Sequence, residues 1–232
     1  MRYQGGKSRI AQPIAKIITT VAGGERCFVS LFCGSCAVES KVQGFTRKIL
    51  NDRHQYLIAL LRGVQNGYEL PESITAEQYQ YIREHKDEDP ALAGFVGFGC
   101  SFGGKWFGGY ARNATGTNYA LQSKRSLLKD MATLQDASFV CNDYRRVCIP
   151  PGAVIYADPP YNNTTGYSGD RFDSAEFWVA MRLLADTGHT VFVSEQEAPA
   201  AHPQMREVAI PLLHQMRSQV PVIFDDIEEA AQ

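Results

Sequence analysis

Residues 158–161 read Asp-Pro-Pro-Tyr and follow the apolar run Ala153-Val154-Ile155-Tyr156-Ala157. The run has the make-up of a buried strand. Pro159 and Pro160 end it, fix their own φ angles and offer carbonyls without N–H donors. Asp158 and the Pro159 carbonyl are then two acceptors held rigidly beside the flat ring of Tyr161. Such a set suits an exocyclic amino group on a planar heterocycle, with both N–H bonds accepted while the ring stacks on Tyr161. Asp-Pro and Pro-Pro are also ordinary loop punctuation, so a strand-ending turn with a surface tyrosine is the alternative reading.

Three other segments carry chemistry of a matching kind. Phe32-Cys33-Gly34-Ser35-Cys36 follows the first apolar run and is expected to open a helix. Small residues there admit a ligand close to the backbone, and a helix N-terminus favours negative charge. Asn51-Asp52 ends the next run, 18 residues after Gly34, where an acid accepts from ribose hydroxyls or caps a helix. Tyr3-Gln4-Gly5-Gly6-Lys7 precedes the first strand and sets a ring and a cation on a glycine turn. Cys33 and Cys36 form a C-x-x-C. A structural zinc needs a second such pair, which the chain lacks; a redox dithiol at a helix start stays open.

These residues need a frame. Cys27–Phe32, Arg47–Leu50, Ser138–Cys141, Ala153–Ala157, Thr190–Ser194 and Glu207–Ile210 read as short strands. Ile10, Ile14, Ile17 and Ile18 recur at helical spacing, as do Phe177, Met181, Leu184 and Ala185 between an Asp173…Glu176 capping box and Gly188. Strands alternating with helices imply an α/β domain with a mostly parallel sheet and ligands at the strands' carboxyl ends. Residues 53–135 interrupt that rhythm. They are too long for one crossover and read as an inserted, mainly helical region, with helices over His54–Val64, Thr75–His85 and Thr117–Leu134. The catalytic domain is accordingly expected from 1–52 and 136–232.

With 232 residues, 44% hydrophobic and 21% charged, the composition is that of an ordinary globular protein. No run of 18 apolar residues occurs, and the N-terminus lacks the apolar core of a signal peptide. No membrane association and a cytoplasmic location are expected. Net charge is −2, yet Ala91–Lys129 holds Lys105, Arg112, Lys124, Arg125 and Lys129 without one acid. A basic segment on a near-neutral chain fits a phosphate footprint, or a solvated helix face for its last three members.

In this order the segments resemble the Dam-type adenine-specific DNA methyltransferases of bacteria and phages. Tyr3–Lys7 is similar to that family's N-terminal box, Phe32–Cys36 to its glycine loop, Asn51-Asp52 to its Asn-Asp pair and Asp143-Tyr144 to its Asp-Phe/Tyr step. Asp158–Tyr161 resembles its catalytic box and Val193-Ser194-Glu195 its later Ser-Glu strand. The resemblance implies a Rossmann-like methyltransferase fold, S-adenosylmethionine as cofactor and no metal. Tyr3 and Lys7 would line the methionine end, with Lys7 toward its carboxylate. Phe32 and Gly34 would border the cofactor, Asp52 would take the ribose hydroxyls, and Asp143 with Tyr144 would border the adenine. Asp158, Pro159, Pro160 and Tyr161 would form the catalytic box, acting on N6 of an adenine turned out of duplex DNA. Asn162–Phe172 would close over that base, and Lys105, Arg112, Asn113, Asn118, Lys124 and Arg125 would contact the DNA. A monomer or weak dimer in a bacterial or phage-infected cell is implied, in a restriction–modification or phage setting.

The chain departs from the family at Cys36, where Gly or Ala is usual, and around Arg112-Asn113 and Gly116-x-Asn118, which echo the recognition pattern only loosely. No recognition sequence carries over. Methylation of cytosine N4, of RNA or of a protein amide, a non-catalytic cofactor or DNA binder, and a dinucleotide oxidoreductase are the competing readings. Asp at the head of the box and the Tyr3–Lys7 segment favour adenine in DNA.

Overall fold

The β-branched and aromatic runs become a seven-stranded sheet ordered β3-β2-β1-β4-β5-β7-β6. Its strands are β1 (Cys27–Ser30), β2 (Arg47–Asp52), β3 (Ser138–Cys141), β4 (Val154–Ala157), β5 (Thr190–Ser194), β6 (Met205–Val208) and β7 (Val222–Asp225). β1 through β5 are parallel, while β7 runs antiparallel to both β5 and β6. The computed structural model describes residues 1–24, 26–160 and 172–194, and beyond them the backbone of β6 and β7. Ser138–Cys141 and Thr190–Ser194 match the expected bounds, and the strand expected at Glu207–Ile210 lies two residues earlier. β7 was not anticipated, although Val-Ile-Phe is a strand-like triplet.

Side chains alternate along each strand. Phe28, Leu50, Val154, Tyr156 and Phe192 enter one core, and Val29, Leu31, Ile49, Ile155 and Val193 enter the other. The first core is covered by α1 (Ala11–Ala22), whose Ala11, Ile14, Ala15, Ile18 and Ala22 are buried at helical spacing. It also takes in α2 (Gln55–Gln65), α3 (Ala76–Glu84), α4 (Pro90–Gly94) and α5 (Tyr119–Met131) through Leu57, Leu60, Tyr79, Leu92 and Leu127. The helical stretch between β2 and β3 is thus continuous in packing with the sheet. The second core is closed by Phe177 and Met181 of α6 (Ser174–Asp186). Phe28, Tyr156, Phe177 and Phe192 are each at most 1% exposed, which is worth about 1.5–3 kcal/mol per side chain.

The helix ends follow local rules. Thr75 accepts from Gln78 N while the Gln78 side chain accepts from Thr75 N, a full capping box. Asp173 accepts from Glu176 N at the start of α6. Among the described residues no helix is long and apolar enough to cross a membrane.

The chain runs from β1 outward to β2 and β3, then returns to β4 beside β1 and continues to β5 on the other side. The junction of β1 and β4 is therefore the topological switch point, where ligands bind beyond the carboxyl ends of the strands. Ser30 pairs with both Leu50 and Tyr156. Asp52 and Asp158 consequently stand level, each two residues past that row.

Candidate active site

An open cleft of 1320 Å³ lies above this junction. Tyr3, Lys7, Phe32, Gly34, Asp52, Asp143, Tyr144, Asp158, Pro159 and Pro160 all line it. These residues come from five separate parts of the sequence and meet there because each follows the carboxyl end of a strand or packs on one. Tyr161 and the 162–171 part of the expected lid lie outside the described residues, as does Glu195.

Lys7 Nζ donates to Asp158 Oδ1 at 2.5 Å, with the two side chains only 7% and 17% exposed. Burial raises the Asp158 carboxyl above the usual carboxylate range, and Lys7 opposes that rise by charge and hydrogen bond. Lys7, expected near a cofactor carboxylate, is here bonded to Asp158.

Asp52 is 8% exposed. Its Oδ2 accepts from Gly34 N at 3.0 Å and its Oδ1 from His54 N at 2.9 Å. The carboxylate thus holds the glycine loop against the start of α2. Its carboxyl is raised by burial, against which the two N–H donors act. Asn51 beside it ties strand ends together, its Nδ2 donating to Leu31 O at 2.9 Å and Asn142 O at 3.1 Å.

The segment after β1 departs from expectation. No helix opens at Phe32–Cys36; residues 33–41 fold as successive turns. Gly34 and Cys36 have φ of +48° and +59°, and such left-handed residues do not propagate a right-handed helix. The positive φ also explains why a small residue suits position 36. A helix N-terminus therefore does not supply anion affinity here, nor does it acidify the C-x-x-C. Cys33 and Cys36 are both buried, and burial pushes the Cys33 thiol well up. That is the setting of an inert cysteine rather than a redox thiolate.

Tyr3 lies over the loop: a Cβ on Gly34 would sit 3.0 Å from its ring. A Cβ on Gly104 would come within 2.6 Å of Tyr3 N, and Gln4 N donates to Gly104 O at 3.0 Å. The N-terminal box is clamped between the glycine loop and the region 101–110.

At the β3 end, Asp143 is engaged by Arg145. Its carboxylate accepts from Arg145 Nε and Nη2, both at 2.8 Å, and from Arg145 N at 3.0 Å. These bonds hold its carboxyl down at about 2. Arg145 also reaches Glu176 of α6 at 2.9 Å. Tyr144 stacks at a tilt on Phe32, with ring centres 5.3 Å apart, and both pack on Phe172 and Phe177.

Several cleft residues were not singled out from the sequence. His54, Tyr56, Phe98 and Trp106 form an aromatic wall lining the cleft. Tyr56 and Trp106 are stacked at 5.2 Å, and His54 meets Trp106 at 4.3 Å. His54 Nδ1 accepts from Leu57 N as the α2 cap, and burial holds its imidazole at about 4, so it is neutral. Glu39 is the other omission. The density of Gly and aromatics over Phe95–Tyr110 was a usable clue to the wall; nothing pointed to Glu39.

The expected DNA contacts lie elsewhere. Lys105, Arg112, Asn113, Asn118 and Arg125 are exposed, and neither they nor Lys124 line the cleft. Asn113 accepts from Thr117 N and donates to Thr117 Oγ1, closing its own loop. Asn118 caps α5 by accepting from Leu121 N, and Lys124 pairs with Glu72 at 3.1 Å.

A mostly parallel sheet with a cleft at its switch point, lined by acids after three strands, defines a Rossmann-like nucleotide-cofactor domain. Residues 3–91 match the family model described as D12 class N6 adenine-specific DNA methyltransferase. That segment, less than half of the chain, is similar to the family. No curated protein matches it in sequence. Among solved structures it is similar to the rRNA methyltransferase aviRa from Streptomyces viridochromogenes, at 15% identity and TM-score 0.47 over 97% of this chain and 86% of that one. It is also similar to the putative methyltransferase yhhF from Escherichia coli, at 13% identity and TM-score 0.42 over 94% and 85%. At those scores neither likeness bears on substrate or residue roles. Among the described residues no group of three His, Cys, Asp or Glu is placed to hold a metal.

Proposed function

We propose that the protein methylates N6 of adenine in double-stranded DNA, taking the target base out of the duplex into the cleft. The observation that carries this reading is the Lys7–Asp158 pair at the switch point, level with Asp52 on the next strand but one. S-adenosylmethionine supplies an electrophilic methyl group. The residues present fit it: Asp52 for the ribose hydroxyls, and Phe32 with Tyr144 for its adenine.

Adenine N6 is a poor nucleophile because its lone pair is delocalised into the ring. Asp158 and the Pro159 carbonyl accept its two N–H bonds, draw N6 toward tetrahedral geometry and localise the lone pair. This is positioning plus electrostatics. Lys7 orients the Asp158 carboxylate through Oδ1, which leaves Oδ2 for the substrate. A carboxyl raised by burial is also suited to take the proton that N6 sheds. Tyr56, Trp106 and His54 offer flat apolar surface for an extruded base, since stacking on aromatic rings compensates unstacking from the duplex. Lys105, Arg112 and Arg125, exposed and unopposed by acids of their own segment, are suited to the duplex; Asn113, Asn118 and Lys124 have partners to give up first.

The test is transfer of tritium from labelled S-adenosylmethionine to duplex and single-stranded DNA, followed by digestion to nucleosides. Label in N6-methyl-2′-deoxyadenosine from duplex supports the proposal. Label in a cytosine nucleoside, or transfer to added RNA or protein with none to DNA, overturns it. An increase in 2-aminopurine fluorescence at the target position on binding supports extrusion, and an unchanged signal with active enzyme overturns that step.

A further inference from the structure

Glu39 lines the cleft and is 2% exposed. Its Oε1 accepts from the Ser30 hydroxyl at 2.7 Å, which fixes the carboxylate at the carboxyl end of β1, one side of the switch point. Among the described residues it forms no ion pair. Lys48 of the neighbouring β2 donates instead to the main-chain carbonyls of Glu39 and Val42, at 3.0 and 2.7 Å. Lys48 acts on the carboxylate only at a distance; its charge lowers the carboxyl, but burial is the larger effect and drives it up to about 7. A buried carboxylate with no ion-paired cation is costly. A group of that kind facing a cleft calls for a positively charged ligand atom.

Its place among the other acids says which atom. Asp143 follows β3, Asp52 ends β2, Glu39 hangs from Ser30 of β1, and Asp158 follows β4. Given the reading above, the adenosine half of the cofactor belongs to β3 and β2, and the methyl group faces Asp158. The remaining arm, the amino acid, is left the turns at 33–39. That arm carries one ammonium. Lys7, the cation that would suit its carboxylate, is bonded to Asp158, whereas Glu39 still lacks a charged partner among the described residues.

We propose that Glu39 accepts the α-ammonium of the cofactor's methionine moiety, with Ser30 as the positioning residue that aims its carboxylate. The inference rests on the cofactor reading above and adds the residue that discriminates the amino-acid arm. Asp52 and Asp158 then serve the ribose and the methyl acceptor, and each acid along the sheet has one task.

Calorimetric titration with two probes tests this. S-adenosylhomocysteine carries the ammonium; 5′-methylthioadenosine has the same nucleoside and no amino-acid arm. Glu39→Gln, isosteric and still able to bond Ser30, is expected to bind S-adenosylhomocysteine roughly 10- to 100-fold more weakly, as for loss of a charged hydrogen bond. Its affinity for 5′-methylthioadenosine should stay within about twofold of wild type, the level expected without a lost contact. Ser30→Ala, which keeps the carboxylate, should show a smaller loss confined to S-adenosylhomocysteine, and it carries the test if Glu39→Gln does not fold. Equal weakening for both probes would make Glu39 scaffold and overturn the proposal, as would unchanged binding of S-adenosylhomocysteine. If the wild type binds neither probe, the cofactor reading itself fails, a result distinct from either.

Discussion

Lys7 and Asp158, 151 positions apart, share a hydrogen bond and an ion pair in the floor of the cleft. The first glycine-rich box and the acid after β4 are therefore one unit. Removing either partner leaves the other desolvated, so the pair ties folding of the N-terminus to the segment that follows β4.

Asp158→Ala is expected to lower methyl transfer by about 10²–10³, the usual effect of losing one such electrostatic contact. It should also destabilise the fold, by up to about 3–5 kcal/mol if Lys7 stays charged. Lys7→Met in the same background should recover part of that stability without recovering activity. Single-turnover rates and thermal melts of both variants check the pair; activity above about a tenth of wild type for Asp158→Ala would remove Asp158 from the chemistry.

Asp52→Ala removes the acceptor of Gly34 N and His54 N together. Cofactor affinity is expected to fall by about tenfold or more, with DNA affinity nearly unchanged. Titration with S-adenosylhomocysteine and with duplex separates the two. An unaltered cofactor affinity would reduce Asp52 to a loop fastener.

Glu39 sets a pH dependence in the ligand-free protein. Its carboxyl stands at about 7 against 4.5 for an unperturbed glutamate. The group's folded value is raised, so its favourable contribution is complete below about 4.5 and is lost as pH rises through about 7. Burial raises it most and Asp158 adds to the rise, while the Ser30 hydroxyl and Lys48 oppose it; the nearby buried thiols of Cys33 and Cys36 are themselves raised. Glu39→Gln should therefore melt higher than wild type at pH 8, by the equivalent of about 3 kcal/mol at most, and the gap should close toward pH 5. A gap that widens on acidification would contradict this environment.

In the region 111–125, capping and DNA contact can be told apart. Asn118→Ala should cost about 1 kcal/mol of stability because it uncaps α5. Arg112→Ala should leave the melting point unchanged, weaken cognate duplex by about 1–3 kcal/mol and relax sequence preference. Arg125→Ala should weaken all duplexes alike and reduce the salt slope by about one unit. Binding isotherms on cognate and scrambled duplexes at several salt concentrations decide. Wild-type behaviour by both arginine variants would move recognition away from this stretch.

What could be read from the residues alone was local. Strand runs at 138–141 and 190–194, the α1 isoleucine stripe, and the caps at Thr75 and Asp173 depend on side-chain periodicity and on hydrogen bonds within a few residues. The acids Asp52 and Asp158 were legible because a strand end is itself a local event, and parallel strands put all their carboxyl ends on one side; Asp143 was reached only through the family resemblance. Tertiary structure decided the rest. The left-handed Gly34 and Cys36 turned an expected helix into turns. Lys7 was drawn to Asp158, Gly104 was pressed on Tyr3, and Glu39 swung from an unremarked position onto Ser30 and into the cleft. Each of these depends on a partner outside its own segment or on a backbone region that the residue type does not dictate. Periodicity carries neither kind of information; only the packed sheet brings those groups within hydrogen-bond reach.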